Sequence, residues 1–152
     1  MQLILDDNMY TEVWDTIKIK FNYPQSFSYN GDCKSFKISS LWNEQQENIV
    51  NEILKRMANK NIYALDWQHD CFIFNPYDNI PMNTEWYDNE RECNVYFPTY
   101  YPNGDYHAFV AMDYTYGIFG YPWSEEIYIV GEKLINLFNE YKSELNLIEQ
   151  NL

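Results

Sequence analysis

The sequence is short of positive charge, of histidine and of glycine, and it contains no long apolar run. Ten Lys and Arg stand against 23 Asp and Glu, giving a formal charge of −13. Neutralising phosphates takes clustered cations, so nucleic-acid binding is excluded as a main role, and adhesion to an anionic membrane is disfavoured for the same reason. No stretch approaches the length of about 20 apolar residues that a membrane-spanning helix needs. The opening Met1-Gln-Leu-Ile-Leu has no basic flank and stops at Asp6 and Asp7, so no secretory signal is read there. Five glycines do not build a phosphate-cradling loop, and no G-x-S-x-G elbow is present. The three cysteines, Cys33, Cys71 and Cys93, form no C-x-x-C pair. An odd count without a leader is expected to mean reduced thiols in a cytoplasm. Only His69 and His107 add imidazoles, and no H-E-x-x-H spacing exists. No metal, cofactor or catalytic residue is therefore assigned from the pattern.

What the chain has instead is aromatic residues, 19% of its 152 positions, in an otherwise globular composition that is 46% hydrophobic. Its length suits a single domain over residues 1–152. Val13, Trp14, Ile17 and Phe21 share a helical face over about Met9–Lys20, with Asp7, Asn8 or Thr11 as the cap. Ile49, Val50, Ile53, Leu54 and Met57 mark a second helix over about Leu41–Asn59, capped by Ser40 or Asn43. From residue 61 the period changes. Ile62–Trp67 and Cys71–Asn75 read as a hairpin, and Asn94–Phe97, His107–Met112, Ile118–Tyr121 and Glu126–Val130 read as further strands. Pro76–Glu92 reads as a long polar loop. Leu134, Phe138, Tyr141, Leu145 and Ile148 mark a last helix beginning at Gly131. Helices at the two ends and strands between them predict an α+β fold. It would have one antiparallel sheet of four to six strands and about three helices, two N-terminal and one C-terminal, on one face.

Charge is unevenly spread. Residues 61–130 hold eleven acids and one base, Arg91, together with 19 of the 29 aromatics, whereas residues 1–60 are nearly balanced. An acidic surface carrying Tyr and Trp suits a basic protein partner, since acids steer the encounter and aromatics anchor it. Asp78, Glu85, Asp88, Glu90 and Glu92 are the candidate partner-binding acids, and a basic toxin or nuclease is the class of partner. The plainer reading is that the aromatics are core and the acids keep the chain in solution.

Asp66 lies between Leu65 and Trp67 in a predicted strand, where an acid is out of character. An alternating strand would turn it to solvent; burial would instead raise its pKa and make it an acid–base candidate. Two segments are more specific than filler: Tyr63-Ala-Leu-Asp-Trp-Gln-His-Asp-Cys-Phe-Ile-Phe-Asn-Pro76, and Phe97-Pro-Thr-Tyr-Tyr-Pro-Asn-Gly-Asp-Tyr106 with Gly117-Ile-Phe-Gly-Tyr-Pro-Trp123. Their L-D-W-Q-H strand end, Y-P-N-G-D turn and G-x-F-G-x-P-W run resemble the bacterial family called domain of unknown function 2716. The resemblance covers about Trp14–Phe138. That family's pattern carries a histidine before the last Pro-Trp, where this chain has Tyr121. No activity comes with the resemblance. The motif residues suggest a pocket of Asp66, Trp67, His69, Asp105, Tyr106, Tyr121 and Trp123, which would serve a small-molecule binder or enzyme; a structural corner without a distinctive site is the other reading. Gly104 suits a turn with positive φ, Gly117 and Gly120 suit close backbone approach, and Pro122 is a candidate cis residue.

Overall fold

The computed structural model describes residues 1–57, 60–78 and 84–150. Helix α1 runs over Asp7–Phe21. It is capped by Asp6, whose side chain accepts from the N–H groups of Asn8 and Met9, and it ends at Asn22, with φ 54°. The cap is thus Asp6, one residue before Asp7, the first of the three expected positions. Helix α2 runs over Glu44–Lys55, and a reciprocal capping box joins Asn43 and Gln46. That pair satisfies two otherwise orphaned N–H groups and fixes the start three residues inside the expected span. Helix α3 spans Glu132–Glu140.

The described residues also form ten strands: β1 (Gln2–Leu3), β2 (Cys33–Ile38), β3 (Ile62–Asp66), β4 (Cys71–Phe74), β5 (Glu85–Asp88), β6 (Cys93–Tyr96), β7 (His107–Ala111), β8 (Gly117–Tyr121), β9 (Glu126–Val130) and β10 (Leu147–Glu149). Eight of them make one sheet in the order β1-β4-β3-β7-β8-β9-β2-β10, while β5 and β6 pair separately. Every pairing is antiparallel. The α+β class holds, but the sheet is wider than four to six strands.

Two expectations about the ends of the fold are corrected. The last helix stops at Glu140, and the chain returns as β10 beside β2. The helical spacing of Leu145 and Ile148 misled because Leu145 is buried while Ile148 is 51% exposed: Leu147 and Ile148 follow the period of a strand. Asn146, with φ 55°, makes the turn. The Pro76–Glu92 segment is also not all loop. It holds a 3-10 turn at Pro76–Asp78 and then β5, while its residues 79–83 lie outside the described residues.

The helices cover both faces of the sheet, not one. Ile62 and Ala64 of β3 enter a core under α2 and α3, with Val50, Ile53, Phe72, Phe109 and Phe138. Tyr63 and Leu65 enter a second core under α1, with Trp14, Ile17, Phe21, Val110 and Phe119. Strands β3 and β7 are therefore buried at every position. A fully buried Phe or Leu contributes about 1.5–3 kcal/mol, so apolar residues are favoured on both sides of these strands. No position in them faces solvent, and that decides where Asp66 goes.

Candidate functional site

Asp66 ends β3 and pairs in register with His107, which begins β7. Alternation along β3 places Asp66 on the α2 side, with Ile62 and Ala64. Its side chain is buried, and its Oδ2 lies 3.3 Å from His107 Nε2. The β3–β4 turn folds back so that His69 Nδ1 lies 3.1 Å from the same oxygen. Asp105 arrives from the turn before β7, where Gly104 has φ +76°, and its Oδ2 lies 2.9 Å from His69 Nδ1. Four side chains from two stretches of chain, residues 66–69 and 105–107, thus meet at one end of the sheet.

The outer atoms of this network are also held. Asp66 Oδ1 accepts from the Gln68 N–H at 3.1 Å, and Asp105 Oδ1 accepts from the Tyr106 N–H at 2.7 Å. His107 Nδ1 faces the Thr99 carbonyl at 3.1 Å and the Thr99 hydroxyl at 3.4 Å. That hydroxyl donates to the Tyr101 carbonyl, so it offers His107 only a lone pair. His107 Nδ1 therefore carries a hydrogen.

Electrostatics separates the two aspartates. Burial pushes the Asp66 carboxyl up, but hydrogen bonds from His107 and Asp105 and the nearby imidazoles outweigh it, and the group lies below the ordinary carboxylate range. Asp105 goes the other way: burial raises it, and the shared hydrogen bond with Asp66 raises it further. The two carboxyls therefore shift in opposite directions, Asp66 down and Asp105 up, as expected of two like charges that share one site. Burial lowers His69, but the two carboxylates more than reverse this and hold it above the ordinary imidazole value. Asp66, His69 and Asp105 can also serve as ligands, because their donor atoms all lie within 4.8 Å of one another.

The other suggested pocket residues are placed elsewhere. Trp67 packs edge-on against Trp14 of α1, centroid to centroid 4.9 Å. Tyr106 and Tyr121 stand edge-on to Tyr23 and to each other in the α1-side core. The buried Tyr121 hydroxyl has no hydrogen-bond partner. Trp123 is 83% exposed in the turn between β8 and β9. Strand parity divides the seven residues: three converge with His107, three belong to the opposite face, and Trp123 stands apart. Gly120 has the close approach expected of it, since a Cβ there would meet Pro102 Cβ at 2.9 Å. The cis peptide bond among the described residues is Tyr23–Pro24, so Tyr121–Pro122 is trans.

The acidic segment adjoins this network. Asp88 caps the β5–β6 turn by accepting from the N–H groups of Glu90 and Arg91. Arg91 bridges Asp88 at 3.0 Å and Asp70 of the β3–β4 turn at 3.1 Å. Tyr96 of β6 sets its ring 5.2 Å from the His69 ring. Glu85, Glu90 and Glu92 are exposed, as is Tyr87. Asp78 lies beside the N-terminal amine at 3.4 Å. Of the five partner-binding candidates, four belong to the hairpin and Asp78 to the 3-10 turn before it.

Sequence reasoning passed over His107, Thr99, Tyr23 and Glu47. Tyr23 sends its hydroxyl to the carbonyls of Gly120 and His107, at 2.7 and 3.1 Å, pinning β8 and β7 from the α1 side. Glu47 of α2 accepts from the N–H groups of Tyr100 and Tyr101 at 3.0 and 3.2 Å, holding the segment that carries Thr99. Burial pushes its carboxyl up to about 7, against the opposing pull of those hydrogen bonds. A polar residue within an apolar strand was a usable signal for His107, as it was for Asp66. Nothing local marks Glu47.

The profile of a family described as protein of unknown function (DUF2716) matches residues 4–135. A Bacillus subtilis (strain 168) protein described as uncharacterized protein YxiI is 36% identical over 77 residues, which is 51% of this chain and 43% of that protein. The match thus spans less than half of that relative's length. No solved structure matches the chain. Among the described residues, no helix is long and apolar enough to cross a membrane.

Proposed function

The chain belongs to the family of proteins of unknown function DUF2716, and from that premise we propose that it is a non-catalytic binding protein that masks a basic partner, of the toxin or nuclease class. One observation carries this reading. The β5–β6 hairpin presents Glu85 at the start of β5 and Glu90 and Glu92 in its turn, with the exposed ring of Tyr87 between them, and the cation of this hairpin, Arg91, is engaged by Asp70 and Asp88. Acids left free beside an exposed aromatic steer a cationic surface inward and give it an anchor. The interior acids answer to the fold, and the hairpin acids answer to what approaches. We also place the protein in the cytoplasm, a reading that the three free cysteines support.

The test is capture from the native host's lysate at low and high salt, with wild type and with a Glu85→Lys/Glu90→Lys/Glu92→Lys bait. Asp88 is left alone because it caps the turn. A cationic protein held by wild type, released by salt and lost with the triple variant is the expected outcome, since contacts between exposed charges are screened by salt. Identical eluates from the two baits would remove the reading.

A second reading, small-molecule binding or acid–base chemistry at Asp66, His69 and Asp105, is favoured by their convergence around a half-exposed imidazole. Binding of a metabolite lost on Asp105→Asn, with hairpin charges intact, would select it.

A further inference from the structure

We propose that Asp66, His69 and Asp105 form a binding site for a divalent transition-metal cation. The argument begins with a hydrogen-bond shortage. His69 Nδ1 lies 3.1 Å from Asp66 Oδ2 and 2.9 Å from Asp105 Oδ2, yet one ring nitrogen has at most one hydrogen to give. Both aspartate side chains are buried, at 4% and 7% exposed; Asp66 Oδ2 also meets His107 Nε2 at the longer distance of 3.3 Å, while Asp105 Oδ2 has only its share of the single His69 hydrogen, and a buried carboxylate oxygen without a full partner is costly. A cation between the three atoms would satisfy all of them at once.

The spacing agrees. Ligands of a first-row cation sit about 2.0–2.2 Å from it, and two ligands at right angles are then about 3 Å apart. The observed separations of 2.9 and 3.1 Å are of that size. The supporting contacts are those a metal site uses: the second oxygen of each aspartate is fixed by a backbone N–H, from Gln68 and from Tyr106, and His107 braces Asp66 from behind. One imidazole and two carboxylates suit Zn2+, Mn2+ or Fe2+ better than a soft ion. Three protein ligands leave positions for water, and His69, 45% exposed, puts the site within reach of solvent. The three residues were grouped from the sequence as a pocket, but no metal-ligand spacing marks them, because they come from a strand end and two turns.

The experiment is calorimetric titration of chelator-treated protein with Zn2+ and, separately, with Mn2+, together with the visible spectrum of the Co2+ form. Wild type is expected to take up one equivalent of at least one of the two cations, and Co2+ to give a ligand-field band that reports nitrogen ligation. His69→Gln and Asp105→Asn are each expected to weaken binding by at least about tenfold, while Glu90→Gln/Glu92→Gln leaves it unchanged. His69 is half-exposed, so its variant keeps the test valid if Asp105→Asn fails to fold. Absence of saturable one-equivalent binding would overturn the proposal. So would binding that survives both ligand substitutions or falls only with the hairpin acids.

Discussion

The end of β3 and the β5–β6 hairpin lie side by side and use carboxylates in opposite ways. At the end of β3, Asp66 is 3% exposed and has contacts with His107, His69 and the Gln68 N–H. On the hairpin, Glu85, Glu90 and Glu92 project into solvent. Interior charges are few, and each is tied to named partners because low dielectric makes an unpaired charge expensive. Surface charges are many and individually weak, and they act through their summed field. The lesson is that the count of acids in this half describes its surface, while the buried network around His107 depends on two aspartates that the count does not distinguish.

The sharpest way to test the contrast is to delete one acid from each region. Asp66→Ala removes the partner of His107 Nε2, of His69 Nδ1 and of the Gln68 N–H. Breaking a buried pair in this way is expected to cost about 3–5 kcal/mol. Glu90→Ala is expected to change stability by no more than about 0.5 kcal/mol. Urea unfolding of both variants reads this directly, and equal losses would erase the distinction.

Glu47 sharpens the comparison from the α2 side. Its folded pKa, pushed up to about 7 by burial, lies above its unfolded value, so the protonated form favours folding. That contribution is fully present below the unfolded pKa and is lost as pH climbs through about 7. Over this window the loss is expected to be on the order of 3 kcal/mol, from the rise of the carboxyl from 4.5 to about 7. Glu47→Gln should flatten that part of the stability-against-pH curve between pH 5 and pH 8. A curve identical to wild type would show that relief of the overall negative charge is the whole effect.

The smallest effect is expected at Arg91. Its ion pairs with Asp88 and Asp70 are partly exposed, the guanidinium side chain at 33%, and such pairs contribute about 0–1 kcal/mol. Arg91→Gln should therefore shift the unfolding midpoint only slightly, and less still at high salt. A loss as large as that of Asp66→Ala would place the hairpin among the structural rather than the surface elements.

Much of the fold was legible because periodicity reports local burial. The faces of α1 and α2 follow from Val13, Trp14, Ile17 and Phe21, all buried, and from Ile49, Val50, Ile53, Leu54 and Met57, of which the middle three are buried and Ile49 and Met57 partly so. The hairpin of β3 and β4 and the strands around residues 107–130 were read within a residue or two of their observed ends. The site was legible only in part. Asp66, His69 and Asp105 were named and do converge, yet Trp67, Tyr106 and Tyr121 were grouped with them although they lie across the sheet. Proximity in sequence does not say which face a side chain takes when a turn intervenes.

The sequence by itself determined the class of fold, the order of the three helices and of strands β3, β4 and β6 to β9, the apolar faces of those elements and the acidity of the middle segment, since each follows from composition or from a repeat over a few residues. Tertiary structure decided the rest. With α1 on one face and α2 and α3 on the other, β3 and β7 have no wet side, so Asp66 is turned inward to pair with His107. The edge of β2 offers unpaired backbone groups, and the chain after Leu145 takes them up as β10 instead of continuing a helix. Both outcomes depend on which distant segments come together, and that is a property of the packed sheet rather than of any local stretch of residues.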